Sequence, residues 1–347
     1  MAQYSFLDDY SEGCHPAILE ALGSSNMTQQ TAYGNDEYCA QARALIRSQL
    51  NASDAPIYFV ASGTMANILI TAASLKSYEA VIAAHTGHIA VHETGAIEAA
   101  GHKIILVQSS DGKLTPQAIE AAVASNTHYP HMAKPRMVYI TNATETGTVY
   151  TKTELQDLSA VCKQLDLLLM LDGARLSVAL TAPTNDMTLA DIHELVDVFW
   201  IGGTKAGALL GEAIVIPNAT LAKDFAFHIK QRGGLLAKGR ILGIQFKTLF
   251  TDNLFYTLSE HSHAMAQKLS SAIVACGYKL ATPTEGNQVF LELPNALIEH
   301  LQTHYKFYVW QKLDNEHSVT RMVTSWATVD TQVDALIADI TQFKEST

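Results

Sequence analysis

The sequence predicts an α/β fold with a mainly parallel sheet, followed by a smaller α+β C-terminal domain, and three observations support this. Short apolar runs alternate with helical patterns across residues 56–216. Some of these runs are apolar throughout, as in Leu167-Leu-Leu-Met-Leu171, the pattern of strands covered on both faces. After Pro217 the alternation gives way to long helical stretches, three short strands and a terminal helix. At 347 residues the chain exceeds what one core usually covers. The expected division is an N-terminal arm (1–36), a large domain (37–250) and a small C-terminal domain (251–347).

Composition narrows the function. Hydrophobic residues are 48% and charged residues 16%, as in a large enzyme with much buried surface. A formal net charge of −11 argues against nucleic-acid or anionic-membrane partners, while leaving room for a local basic pocket. Cys14, Cys39, Cys162 and Cys276 are widely spaced without a CxxC, which implies isolated reduced thiols and no metal site. The start MAQYSFLDDYSEG has neither a basic leader nor an apolar core, and no apolar run approaches the ~20 residues of a membrane span. A cytoplasmic location is expected.

The elements follow in order. The arm ends its first segment at Pro16, with a short helix over 17–22 and then the polar, turn-rich TQQTAYGNDEY. Helical spacing of apolar and small residues resumes over 37–50. A strand over 56–61 feeds Ser62-Gly63-Thr64 and an apolar helix to about residue 75. A strand over 80–84 delivers His85-Thr-Gly-His88, with helix through residue 100. Then come a strand (103–107), a turn at Asp111-Gly112, a helix (115–124) and a strand (136–141) ending in Asn142-Ala-Thr-Glu145. A helix (153–165) precedes the strand that delivers Asp172-Gly-Ala-Arg175. The next strand (196–201) leads into the turn holding Lys205, and another strand (212–216) lies beyond it. Residues 221–250 read as one long helical stretch broken at Gly233-Gly234, and 251–275 as a further helix. Short strands around 288–293, 307–310 and 321–326 and a helix over 331–343 complete the chain.

Polar residues gather where the strands end, and ligands of open α/β sheets bind at the carboxyl ends of strands. Lys205 sits among Gly202, Gly203, Ala206, Gly207 and Ala208, which leave space around it. A partly buried lysine loses its proton readily, which suits Schiff-base chemistry with pyridoxal phosphate (PLP). Ser62-Gly63-Thr64 opens a helix whose free N–H groups can hold a phosphate, although Ser62 or Thr64 could also simply cap that helix. Asp172 at the end of an apolar strand wants a cation, either a pyridine nitrogen or Arg175. His88 or His85 suits stacking on a flat ring, or a structural role. Arg321 opens a strand and can grip a carboxylate bidentately, or form a surface ion pair.

The order Ser62-Gly63-Thr64, His88, Asp172-Gly-Ala-Arg175, Lys205 and Arg321-Met-Val-Thr resembles the threonine aldolase / aromatic amino acid β-eliminating lyase family of PLP enzymes. The resemblance covers nearly the whole chain, including YGNDEY, GHIAVHETGAIEAAGHK and the RxVTSWAT strand. It implies a fold-type-I, aspartate aminotransferase-like large domain and PLP as cofactor, bound covalently by Lys205. It also implies that Ser62, Gly63 and Thr64 hold the phosphate, His88 stacks on the ring, Asp172 pairs with the ring nitrogen and Arg175 sits near the phenolic oxygen. Arg321 is the expected carboxylate binder for a small amino-acid substrate. The family is oligomeric, so a homodimer or homotetramer is expected, with Tyr33 and Arg240 reaching a neighbour's site.

Three positions depart from the family pattern. Asp8-Asp9 stands where the family has Ser-Asp, putting Asp8 at a substrate-carboxylate position. Glu145 stands where many threonine aldolases have a histidine near the substrate hydroxyl. Ala206 follows the lysine in place of asparagine. The implied reaction is retro-aldol cleavage of L-threonine, L-allo-threonine or a related β-hydroxy amino acid to glycine and an aldehyde, with Glu145, His88 or a water as base. β-Elimination on another amino acid, and a PLP-fold protein that binds without turnover, stand as alternatives.

Overall fold

The chain is described here by a computed structural model covering residues 3–345; the first two residues of the arm and the last two of the chain lie outside the described residues. Its centre is a seven-stranded sheet in the order Ile57–Val60, Glu212–Val215, Val198–Gly202, Leu168–Asp172, Lys134–Thr141, Glu79–Ala84, Lys103–Val107. All neighbours run parallel except Glu212–Val215, which is antiparallel to both of its own. Successive side chains of a strand take opposite faces, and both faces here are packed. Val138, Ile140, Leu169, Leu171, Phe199 and Ile201 join one apolar core. Met137, Tyr139, Leu168, Met170, Val198 and Trp200 join another on the far side. That double covering is why these strands are apolar without alternation.

A four-stranded antiparallel sheet follows, in the order Tyr308–Lys312, His317–Val323, Gln288–Pro294, Lys279–Leu280. The helices Leu254–Ala275 and Asp330–Glu345 contribute Leu269, Ile273, Leu336 and Ile340 to its core. The arm is tied to this unit. Tyr4–Ser5 pairs in parallel with Tyr305–Lys306, Phe6 is fully buried in the small core, and the Val323 N–H donates to the Phe6 carbonyl at 2.9 Å. The arm therefore arrives at the large sheet in a fixed position, which matters for Asp9 below.

Local chemistry accounts for the departures from the sequence reading. Residues 221–250 form three helices, Ala219–Ala222, Phe225–Gln231 and Arg240–Leu249, in place of one broken helix. Asp224 (φ 62°) and Gly233 (φ 76°) take the left-handed region that ends a helical run. The expected helix after His88 splits into single turns, His88–Val91 and Ala96–Ala99, around Thr94 (φ 54°) and Gly95 (φ 71°). Between residues 175 and 196, where the sequence reading assigns no element, there are helices Leu176–Thr181 and Leu189–Leu195. The four cysteines are free, and among the described residues no helix is long and apolar enough to cross a membrane.

Candidate active site

Lys205 lies in the 3₁₀ turn Thr204–Ala206, directly after the strand Val198–Gly202. Gly207 closes the turn at φ +100°, a region that strains any side chain, and a Cβ there would meet Leu258 Cδ1 at 2.7 Å. The opposite wall is Glu212, 4% exposed, whose carboxylate accepts the Gly203 N–H (2.9 Å) and the Thr204 hydroxyl (3.0 Å). Burial lowers the pKa of the Lys205 ammonium, and the Arg175 guanidinium lowers it further. A lysine that gives up its proton easily is what imine chemistry requires. Among the described residues Lys205 Nζ has no hydrogen-bond or ion-pair partner, and the Tyr10 ring centre is 5.7 Å away.

Burial pushes the Glu212 carboxyl up to about 8. Its proton is therefore retained in the folded chain above the ordinary carboxylate range of about 4. The stability linked to that proton is fully present below the ordinary range and is lost as pH rises through about 8. The wild-type melting temperature, relative to Glu212→Gln, is expected to fall between pH 5 and pH 9. Melting curves that move in parallel over that range would contradict this.

Ser62 is the N-cap of the twelve-residue helix Gly63–Ser74, and its hydroxyl accepts the Met65 N–H at 3.3 Å. That capping bond leaves the N–H groups of Gly63 and Thr64 at the helix start for an anion. Gly63 is required by its surroundings, because a Cβ there would lie 2.7 Å from Trp200 Cη2. Ser62, Gly63, Thr64, His88, Asp172 and Lys205 all line one cavity of about 390 Å³.

Asp172 is 2% exposed and is not paired with Arg175. Its Oδ2 accepts the Tyr139 hydroxyl (2.6 Å) and Asn67 Nδ2 (3.1 Å), and its Oδ1 accepts the Ala174 N–H (3.0 Å). Burial raises its pKa despite these donors, so a cation beside it would find a carboxylate without a charged partner. Arg175 instead forms a bidentate ion pair with Asp9 (2.7 and 3.1 Å), which Asn287 Nδ2 also reaches at 2.9 Å. Burial opposes ionisation of Asp9, but Arg175 and Lys205 outweigh it and bring the carboxyl down to about 2.

A second cavity of about 410 Å³ shares Lys205, His88 and Tyr10 with the first and is lined further by Arg175, Glu145, Gln288, His92 and Arg321. The Arg321 guanidinium lies 4.9 Å from the ring centres of both Tyr308 and Trp310, with its Nε buried and unpartnered among the described residues. Glu145 accepts the His88 N–H (3.1 Å) and the Thr141 hydroxyl (2.9 Å). Burial raises its pKa, and the nearby Asp172 adds to the shift.

Three sequence candidates fall outside this cluster. Asp8 does not line either cavity; its Oδ1 accepts the Tyr10 N–H (3.1 Å) and the Ser11 hydroxyl (2.9 Å), so its charge is used in its own turn. Its backbone neighbour supplies the contact to Arg321, whose Nη2 donates to the Leu7 carbonyl at 3.3 Å. Tyr33 is 44% exposed, with Lys230 Nζ over its ring at 4.8 Å. Arg240 donates to the carbonyls of Thr28 and Ser25 and lies over Tyr38.

The profile of the family described as β-eliminating lyase matches residues 6–296. The chain belongs to that family. A low-specificity L-threonine aldolase from Pseudomonas aeruginosa is 37% identical over 339 residues, 96% of this chain and 95% of that one. The structure of a Leishmania major threonine aldolase superposes with a TM-score of 0.97 at 46% identity, covering 98% of this chain and 99% of that chain. A Thermus thermophilus aspartate aminotransferase variant has the same fold at a TM-score of 0.70 and 13% identity. As a member of the β-eliminating lyase family this chain is a PLP-dependent lyase. The residues present fit that cofactor: a deprotonation-prone lysine, a helix start shaped by Gly63, and a buried carboxylate lacking a cation surround one cavity.

Proposed function

We propose that this lyase cleaves L-threonine, L-allo-threonine or a related β-hydroxy amino acid between Cα and Cβ, giving glycine and an aldehyde. The supporting observation is the shared lining of the two cavities: Arg321, Lys205 and the buried carboxylate of Glu145 face one space. PLP, when bound, supplies the electron-accepting ring that stabilises negative charge at the substrate's α-carbon. Lys205 would hold the cofactor, Ser62, Gly63 and Thr64 would take its phosphate, and Asp172 would keep its ring nitrogen protonated. His88 would lie against the ring, and Arg175, fixed by Asp9, would stand beside it.

Arg321 binds the amino acid's carboxylate. The two aromatic rings beside it favour one guanidinium orientation. Glu145 accepts the β-hydroxyl proton as the Cα–Cβ bond breaks. Its burial makes it a stronger base than an exposed carboxylate, and the His88 N–H and Thr141 hydroxyl hold its two oxygens in place. In a cytoplasmic homodimer or homotetramer, Tyr33 and Arg240 serve a neighbouring subunit's site.

Glu145→Gln tests the assignment of the base. The deprotonated carboxylate is the active form, so kcat should rise with pH through an acid limb above the ordinary carboxylate range. The variant is expected to lose that limb and about 10²–10⁴-fold in kcat. A variant with wild-type kcat and an unchanged limb would remove Glu145 from this role.

A further inference from the structure

Glu93 lies in the turn between the two single-turn helices that follow His88, and its side chain is fully buried. One of its oxygens gathers two donors: Oε1 is 2.9 Å from His88 Nδ1 and accepts Asn67 Nδ2 at 2.8 Å. The same Asn67 Nδ2 reaches Asp172 Oδ2 at 3.1 Å, while Asn67 Oδ1 accepts the Trp200 indole N–H at 3.0 Å. Glu93 Oε2 is buried and, among the described residues, has no hydrogen-bond partner. A carboxylate kept for packing alone would satisfy both oxygens or be replaced by an amide or an apolar group. Here one oxygen is left bare while the other holds the imidazole and, through Asn67, the Asp172 carboxylate.

A carboxylate only accepts hydrogen bonds, so the nitrogen facing it must carry the proton. We propose that Glu93 is a positioning residue: it fixes a proton on His88 Nδ1 and joins that ring through Asn67 to Asp172. The group that lies against the cofactor ring and the group at its nitrogen are then oriented by one buried side chain. Trp200 belongs to the same unit, since its indole holds Asn67 and its ring lies against Gly63 of the phosphate cradle. This rests on the PLP-site reading given above, and it concerns a residue that the reading does not use.

The test reads the imidazole itself. In ¹⁵N-histidine-labelled holoenzyme, the His88 signals are assigned by their loss in His88→Asn, and the protonated nitrogen is identified without substrate. Wild type and Glu93→Gln should both show the Nδ1–H form, because a carboxamide oxygen can still accept that proton. Glu93→Leu should lose the preference for it. In the aldol-cleavage assay Glu93→Leu should lose about 10–100-fold in kcat, the scale of losing an orienting hydrogen bond behind a site histidine. KM should change less than about threefold, since Arg321 is untouched, and Glu93→Gln should recover most of the lost rate. A His88 that stays Nδ1–H in Glu93→Leu overturns the proposal, and so do equal losses in the Gln and Leu variants. If wild type fails to cleave any β-hydroxy amino acid, the functional reading falls while the tautomer measurement still decides the role of Glu93.

Discussion

Lys205→Ala is expected to lower turnover by at least about 10⁴-fold, the scale seen when a covalent catalytic group is removed. Borohydride treatment of wild-type holoenzyme should attach PLP irreversibly to the peptide carrying Lys205, and the variant should yield unmodified peptide. The physical basis is local. The ammonium is destabilised by burial and by Arg175, and among the described residues it has no carboxylate in contact to restore its charge. Gly203 and Gly207 flank a turn with no second amine, so no neighbour within it can form the imine in its place. A variant that retained wild-type cleavage, or PLP fixed to a different lysine, would overturn the assignment.

Asp172→Asn is expected to have the next largest effect. Removing one partner of a buried charge pair typically costs about 3–5 kcal/mol, which corresponds to roughly 10²–10⁴ in rate. The asparagine matches the carboxylate in shape but carries no charge to keep the ring nitrogen protonated. Its NH2 must also face a donor, the Ala174 N–H at the Oδ1 position or the Tyr139 hydroxyl and Asn67 Nδ2 at the Oδ2 position, all of which donate to the carboxylate now. PLP affinity should fall together with kcat, and equilibrium binding measured by absorbance beside steady-state rates checks both. If kcat fell with PLP binding unchanged, the carboxylate would serve the reaction without holding the ring.

The sequence made the architecture legible because both faces of the sheet are covered. Leu168–Asp172 and Val198–Gly202 are buried at every position, and runs of that kind stand out without homologues. The residues at strand ends were legible for the same reason: a polar side chain closing an apolar run has few structural uses. Residues that act across the fold were not. Asp9 reaches Arg175 only because the Tyr4–Ser5 strand ties the arm to the small sheet, and a two-residue strand leaves almost no periodicity. Tyr139 reads as one more bulky residue in a buried strand until its hydroxyl is seen 2.6 Å from Asp172.

Asn67 and Glu212 did carry a signal of a weaker kind. Each is a polar group inside an apolar segment, Asn67 within Gly63–Ser74 and Glu212 at the head of a buried strand. Such groups are costly unless paired, and that cost marks them as candidates. Asp8 shows the reverse case. Motif alignment put it at the substrate, but an aspartate two residues before a free N–H readily forms its own turn, as it does with Tyr10 and Ser11.

The most direct measurement of the central claim is product stoichiometry from purified holoenzyme supplied with L-threonine and L-allo-threonine. Equal amounts of glycine and acetaldehyde, formed only with PLP present, are the result predicted by a site in which Arg321 fixes the carboxylate and Glu145 takes the β-hydroxyl proton. Formation of 2-oxobutanoate and ammonia in their place would show that the β-substituent leaves while the Cα–Cβ bond survives, and would contradict the account.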